Sequence, residues 1–258
     1  MAILIELPNG KTLLYDAGSL QNGTFAGRTV QNALWNRGLS RIDTMVISHA
    51  DVDHFNGVPQ LLKTIPIGSL LVAPQFLDLD QKAVEVVYQT ASAENIPFVE
   101  IGRENRLLLD RTVIIEVLHP EKHSPKSDGH ADDDNANSVV LLIEYAGRRI
   151  LLTGDLEEQG LDELLNHQPP RKIDVMLSPH HGSPDSNTTQ LARWARPDFV
   201  TVSAGKSRRL EALQATYGSD TKLFSTALHG AVTFRIEPGG NLHYSHSLHP
   251  GEWIPASK

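Results

Sequence analysis

Three short apolar runs in this chain end alike. "DTMVIS" (43–48) runs into His49, "RRILL" (148–152) into Thr153-Gly154-Asp155, and "IDVML" (173–177) into "SPHHGS" (178–183). Short apolar segments closed by Gly or polar residues read as buried strands. Side chains at the carboxyl end of such a strand can converge on a cleft without disturbing the core. The chain is therefore expected to be a sheet protein whose chemistry sits at strand ends.

The first of these ends, "SHADVDHFNG" (48–57), places His49, Asp51, Asp53 and His54 within six residues. Carboxylates held this close repel one another unless a cation lies between them. The plain alternative is a solvated loop rich in Asp and His. Taken with Asp155 and with His180 and His181, the set matches what a two-metal site needs, including a carboxylate able to bridge two ions. There is no cysteine. Thiolate zinc sites, disulfides and a cysteine nucleophile are thereby excluded, and any metal is held by imidazole, carboxylate, amide or water.

The remaining pattern is mixed. A hairpin is expected at the start, with Asn9-Gly10 in a tight primed turn. Helices are expected near residues 28–38, 56–66, 80–95, 157–166, 188–195 and 208–216. Strands are expected near 43–48, 69–73, 98, 113–119, 138–145, 148–154, 173–178, 198–203, 222–226, 231–237 and 241–246. Residues 119–137 form a polar tract read as a loop. No linker marks a boundary, so residues 1–258 are read as one α+β domain: two mixed β-sheets face to face, with helices outside. The longest apolar runs are about five residues against the roughly 20 that span a bilayer, which predicts a soluble chain. No signal peptide is evident, which makes cytoplasmic the default location, and the abrupt start in a strand fits a piece of a longer protein. Net charge is −8, from 23 basic and 31 acidic residues. A protein that grips nucleic acid by overall charge is ordinarily basic, so metal and local basic patches would have to do the gripping.

The succession Asp16-Ala17-Gly18, "SHADVDH", "LLTGD" and "PHHGS" resembles the metallo-β-lactamase superfamily, and more narrowly the C-terminal domain of the competence DNA-uptake channel (ComEC) family. The likeness runs from Ala2 to about Asn241. It implies a four-layer αββα sandwich and two divalent metal ions. By the same resemblance His49 and Asp51 would hold one metal, Asp53 and His54 the other, and Asp155 both. His180, His181 or both would complete the ligand shells, and Asp16 would hold a ligand imidazole from behind. Asp51 stands where most of the superfamily has a second His, as in the competence branch. No His occupies the usual place before the strand leading to Asp155; His130, Asp132, Asp133 and Asp134 are candidates to replace it, a solvated acidic loop being the ordinary reading. His119, at a strand end, is read as a loop-edge residue able to approach the site. An opening "DVGQGD"-like strand and a Tyr-Gly-His-Pro segment after "VSAG" (202–205) are absent. The oxygen-rich shell favours Mn²⁺, with Zn²⁺ the alternative.

Other features are read as incidental. "AGKS" (204–207) lacks the Gly a phosphate loop needs, and Asn22-Gly-Thr is a chance glycosylation match. Ser183 and Ser186 lack a Gly-x-Ser-x-Gly elbow and are read as helix caps for the segment starting near Asn187. Lys206, Arg208 and Arg209 are candidate phosphate contacts, whereas Arg148/Arg149, Arg171/Lys172 and Arg193/Arg196 read as solvated faces. The expected function is metal-dependent hydrolysis of a phosphodiester, with DNA as substrate and a membrane channel as possible partner. Asp53 would orient the attacking water, and His180 or His181 would protonate the leaving oxygen. Two alternatives stand beside it: a hydrolase of a small phosphoester, lactone or amide, and a binding module with a degenerate site.

Overall fold

Runs with no exposed side chain become the inner strands. In this computed structural model, which describes residues 1–74, 76–78, 81–122, 134–205 and 210–256, the chain forms two compact units. One comprises Met1–Asn105 with His119–Val139, the other Arg106–Leu118 with Val140–Lys258.

The first unit is built on five strands: β1 (Ile3–Glu6), β2 (Thr12–Tyr15), β3 (Thr44–Ile47), β4 (Leu70–Val72) and β5 (Phe98–Glu100), in that spatial order. β1 and β2 are antiparallel; β2 through β5 run parallel. Every residue of β2, β3 and β4 is buried, as parallel strands covered by helices require. The helices are α1 (Gly23–Asn36), α2 (Val52–Phe55), α3 (Val58–Thr64) and α4 (Lys82–Ala93). Val30 and Leu34 of α1, Leu61 of α3 and Val87 of α4 join Met45, Ile47, Leu70 and Val72 in one apolar core. Each such side chain contributes about 1.5–3 kcal/mol on burial. Phe55 of α2 belongs to the same core and meets Phe76 edge-on at 5.7 Å, anchoring a helix too short to stand alone.

The second unit has a six-stranded sheet of β6 (Ile114–His119), β7 (Val140–Tyr145), β8 (Arg148–Leu152), β9 (Val175–Leu177), β10 (Phe199–Val202) and β11 (Lys222–Ser225). β7 and β8 form an antiparallel hairpin; β8 to β11 are parallel. Its helices are α5 (Glu158–His167), α6 (Thr189–Ala195), α7 (Leu210–Tyr217) and the short α8 (Thr226–His229). Strand alternation serves two cores. Met176 and Val200 face Leu161, Leu164, Leu191 and Trp194, while their neighbours Val175 and Phe199 face Phe224, Leu242 and Tyr244. The second core is closed by an antiparallel sheet of β12 (Val232–Ile236), β13 (Leu242–His246) and β14 (His249–Pro255).

Four expectations change. Gly10 N–H donates to the Leu7 carbonyl at 2.9 Å, so the first turn is centred on Pro8-Asn9; Gly10 alone takes positive φ (+83°). Proline at the first central position sets φ near −65°, which suits this turn and not a primed one. Helix α1 begins five residues before the expected Arg28, because the Asn22 side chain accepts from Phe25 N–H at 3.2 Å. The glycosylation-like triplet is a helix cap. Ser183 and Ser186 are not the caps of α6: Thr188 is, accepting from Leu191 N–H at 3.1 Å. Finally, β14 and the three-stranded sheet it completes are additions to the expected two.

Candidate metal centre

In the first unit the site is built behind the strand ends. β2 stops at Asp16, which adopts a left-handed conformation (φ 58°) that Asp tolerates better than most residues. The turn carries Ala17 over α2: Ala17 N–H donates to the His54 carbonyl and Gly57 N–H to the Ala17 carbonyl, both at 2.8 Å. The approach is close enough that a Cβ on Gly18 would lie 2.3 Å from the Asp53 carbonyl oxygen. Only glycine fits there.

The Asp16 side chain is fully buried and organises the rest. Its Oδ1 accepts from Ser48 N–H at 2.7 Å; its Oδ2 accepts from Ser48 Oγ at 2.9 Å and from His54 Nδ1 at 2.8 Å. A carboxylate only accepts, so His54 carries its proton on Nδ1 and the Ser48 hydroxyl hydrogen is spent on Asp16. Ser48 Oγ must then accept from His49 Nδ1, 2.8 Å away. With Nδ1 committed in this way, each imidazole in its neutral form carries its lone pair on Nε2. His49 Nε2 is buried with no hydrogen-bond partner, and the Asp51 carboxylate lies 3.6 Å from it. His54 Nε2 lies 4.0 Å from Asp53 Oδ2. The two rings are 4.2 Å apart between centroids.

In the second unit the logic repeats with different supports. Asp155 follows β8 by three residues and is 3% exposed. After β9, His180 (φ 45°), His181 (φ 52°) and Gly182 (φ 82°) form three successive left-handed residues. His181 Nδ1 donates to the Ser203 carbonyl at 2.6 Å, so the neutral ring carries its lone pair on Nε2, 3.4 Å from Asp155 Oδ2. His180 turns elsewhere: its Nδ1 meets Glu157 Oε2 at 2.5 Å.

A neutral imidazole's lone pair facing a carboxylate at such distances is unfavourable unless a metal cation or a proton lies between them. That pattern occurs at His49, His54 and His181. His49, Asp53, His54, Asp155 and His181 all offer donor atoms of the kind a divalent ion takes. The buried, unpartnered Nε2 of His49 fits an imidazole ligand whose other nitrogen is already committed.

Within the first unit the structure thus gathers His49, Asp51, Asp53, His54 and Asp16, and within the second Asp155, His180 and His181. His119 is no loop-edge residue. It is 3% exposed, and its Nε2 donates to the Ala136 carbonyl at 2.7 Å. Asp134 is not solvated either: 8% exposed, it accepts from Gln81 Nε2 at 3.1 Å. His130, Asp132, Asp133, Lys206, Arg208 and Arg209 lie outside the described residues. Four of the paired basic residues are engaged by acids: Arg148 by Asp174 at 2.7 Å, Arg149 by Glu144 at 2.5 Å, Arg171 by Glu116 at 3.6 Å and Lys172 by Asp198. Sequence reading missed Ser48, Glu157, Asn187 and Tyr217 as supports of the donors.

Residues 1–206 match the family model of the metallo-beta-lactamase superfamily. ComE operon protein 3 of Bacillus subtilis is 30% identical over 206 residues, which is 78% of this chain and 25% of that protein. Competence protein ComA of Neisseria gonorrhoeae is 26% identical over 247 residues, 93% of this chain and 31% of that one. Endoribonuclease ysh1 of Emericella nidulans is 27% identical over 198 residues, 72% of this chain and 22% of that protein. The chain therefore spans less than a third of the length of each of these relatives. No helix among the described residues is long and apolar enough to cross a membrane. Sheets mixed in direction and flanked by helices, with imidazole and carboxylate donors at the strand ends, are the α+β architecture of the matched family: the chain belongs to the metallo-beta-lactamase superfamily and is similar within it to the competence proteins.

Proposed function

We propose that this hydrolase cleaves phosphodiester bonds of nucleic acid, DNA in the first instance, with two divalent metal ions, manganese or zinc. His49, Asp51, Asp53, His54, Asp155 and His181 are the residues that would hold them. Bound there, such ions supply Lewis acidity and lower the pKa of a coordinated water. The observation that carries the reading is the committed Nδ1 of three imidazoles. Asp16 fixes His54, Ser48 fixes His49 and the Ser203 carbonyl fixes His181, so that each presents Nε2 toward a carboxylate.

The two neighbouring histidines divide their work. His181 is the ligand. His180, held at Nδ1 by Glu157, keeps its Nε2 for the substrate and is the proposed donor of a proton to the leaving oxygen. Asp53, 18% exposed at its side chain, would orient the attacking water and would also serve as a metal ligand. The competence relative supports DNA as substrate and the endoribonuclease relative supports RNA as the second reading.

The test is cleavage of single- and double-stranded DNA and of RNA with Mn²⁺ or Zn²⁺, comparing the wild type with Asp53→Ala. Loss of cleavage by about 10²-fold or more in the variant is expected, the scale of removing a positioned acid–base group. Equal cleavage by both proteins refutes the assignment.

A further inference from the structure

The turn that carries His180 and His181 is an uncommon one. Non-glycine residues in the left-handed region persist only where their surroundings over-determine them, and here two stand in succession. One buried side chain, 3% exposed, holds both ends of that turn: Asn187 Nδ2 donates to the Pro179 carbonyl at 3.0 Å and to the Ser183 carbonyl at 2.7 Å. Its Oδ1 accepts from Ser178 Oγ and from the Tyr217 hydroxyl, each at 2.7 Å. Both donors and both acceptor sites of the amide are used. The tyrosine sits at the end of α7, the helix whose Leu213 packs on the same turn: a Cβ on Gly182 would lie 3.1 Å from Leu213 Cδ1. Burial raises the Tyr217 pKa, so its hydroxyl remains a proton donor.

We infer that Asn187, clamped by Tyr217, is a positioning residue for the His180–His181 turn and sets how tightly His181 and Asp155 bind metal. The amide touches neither imidazole. It acts by fixing the carbonyls on either side of them, so that His181 Nδ1 stays on the Ser203 carbonyl and Nε2 stays on the Asp155 side. An apolar side chain at 187 frees those carbonyls, and the turn relaxes toward ordinary backbone angles.

The affinity part rests on the metal-hydrolase reading; the clamp itself does not, and two measurements separate them. Hydrogen–deuterium exchange of the metal-free protein follows the peptide spanning residues 178–187 in the wild type, Asn187→Leu and Tyr217→Phe. Several-fold faster exchange in Asn187→Leu is expected, with a smaller rise in Tyr217→Phe and no change in β7 and β8. Equal exchange in all three proteins overturns the clamp. Should Asn187→Leu not fold, Tyr217→Phe, which loses a single hydrogen bond, decides alone. Calorimetric titration with Mn²⁺ then reads the affinity, expected to fall about tenfold or more in Asn187→Leu and less in Tyr217→Phe, with full stoichiometry recovered at excess metal. A lowered melting temperature with unchanged Mn²⁺ affinity overturns the positioning role and leaves Asn187 a packing residue. A wild type that takes up no metal overturns the hydrolase reading and the affinity part together, while the exchange data still decide the clamp.

Discussion

The two donor clusters solve one problem by opposite means. In the first unit His49 and His54 have side chains 1% and 0% exposed and are held by other side chains, Asp16 and Ser48. In the second unit His180 and His181 are 35% and 26% exposed and are held by Glu157 and a backbone carbonyl on a left-handed turn. Buried imidazoles in a closed hydrogen-bond network have one orientation available to them. Partly exposed imidazoles on a clamped turn keep their orientation yet remain within reach of solvent, as a group that meets substrate must. On the proposed reading the first cluster holds metal, and the second holds metal and also admits a substrate.

The largest effect expected from this contrast comes from Asp16→Asn. An amide in that place can donate to His54 Nδ1, reversing the tautomer and pointing an N–H at the metal position. Loss of metal affinity toward the upper end of the 10–100-fold typical of such supporting groups is expected, read by titration. Affinity within about twofold of the wild type breaks the comparison. His181→Ala and His180→Ala sharpen it. The first should lower bound metal, measured by elemental analysis, while the second should leave metal content unchanged and reduce turnover by about 10²-fold or more. Equal metal loss in both removes the division of labour between the neighbours.

Gly18→Ala probes the closeness of the first cluster. Its methyl would meet the Asp53 carbonyl, which is backbone and cannot move aside. Destabilisation of about 1–3 kcal/mol is expected from overpacking, read as a lower midpoint in urea. An effect of similar size is expected from Ser48→Ala. The change leaves His49 Nδ1–H without its acceptor, at about 1–3 kcal/mol for a buried donor, and the loss should be partly recovered by saturating metal.

How much of this is legible in the sequence follows the distance between partners. His49, Asp51, Asp53 and His54 stand within six residues, and the repulsion between their carboxylates is what marks them as candidate ligands rather than a solvated loop. Asp155 and the histidine pair are legible because each ends an apolar run. Their supports are not. Ser48 looks like any strand-end serine until Asp16, 32 residues away, takes its hydrogen. Asn187 reaches Tyr217 across 30 residues, and nothing in the local pattern marks either. Glu157 reads as the start of a helix, and its contact with His180 spans 23 residues.

The fold shows the same division. Inner strands are apolar runs and read correctly, whereas β14 contains Pro250, Gly251 and Pro255, which weaken any strand pattern, and its pairing with β13 decides its conformation. The first turn departs from its local pattern because Asn-Gly is a strong hairpin signal, yet Pro8 just before it takes over the turn.

The most direct test of the tautomer pattern is anomalous diffraction from crystals soaked in Mn²⁺. Peaks about 2.0–2.5 Å from the Nε2 atoms of His49, His54 and His181, ordinary coordination distances, are the expected result. Peaks at Nδ1 of any of the three, or ions bound only at surface carboxylates, would contradict it.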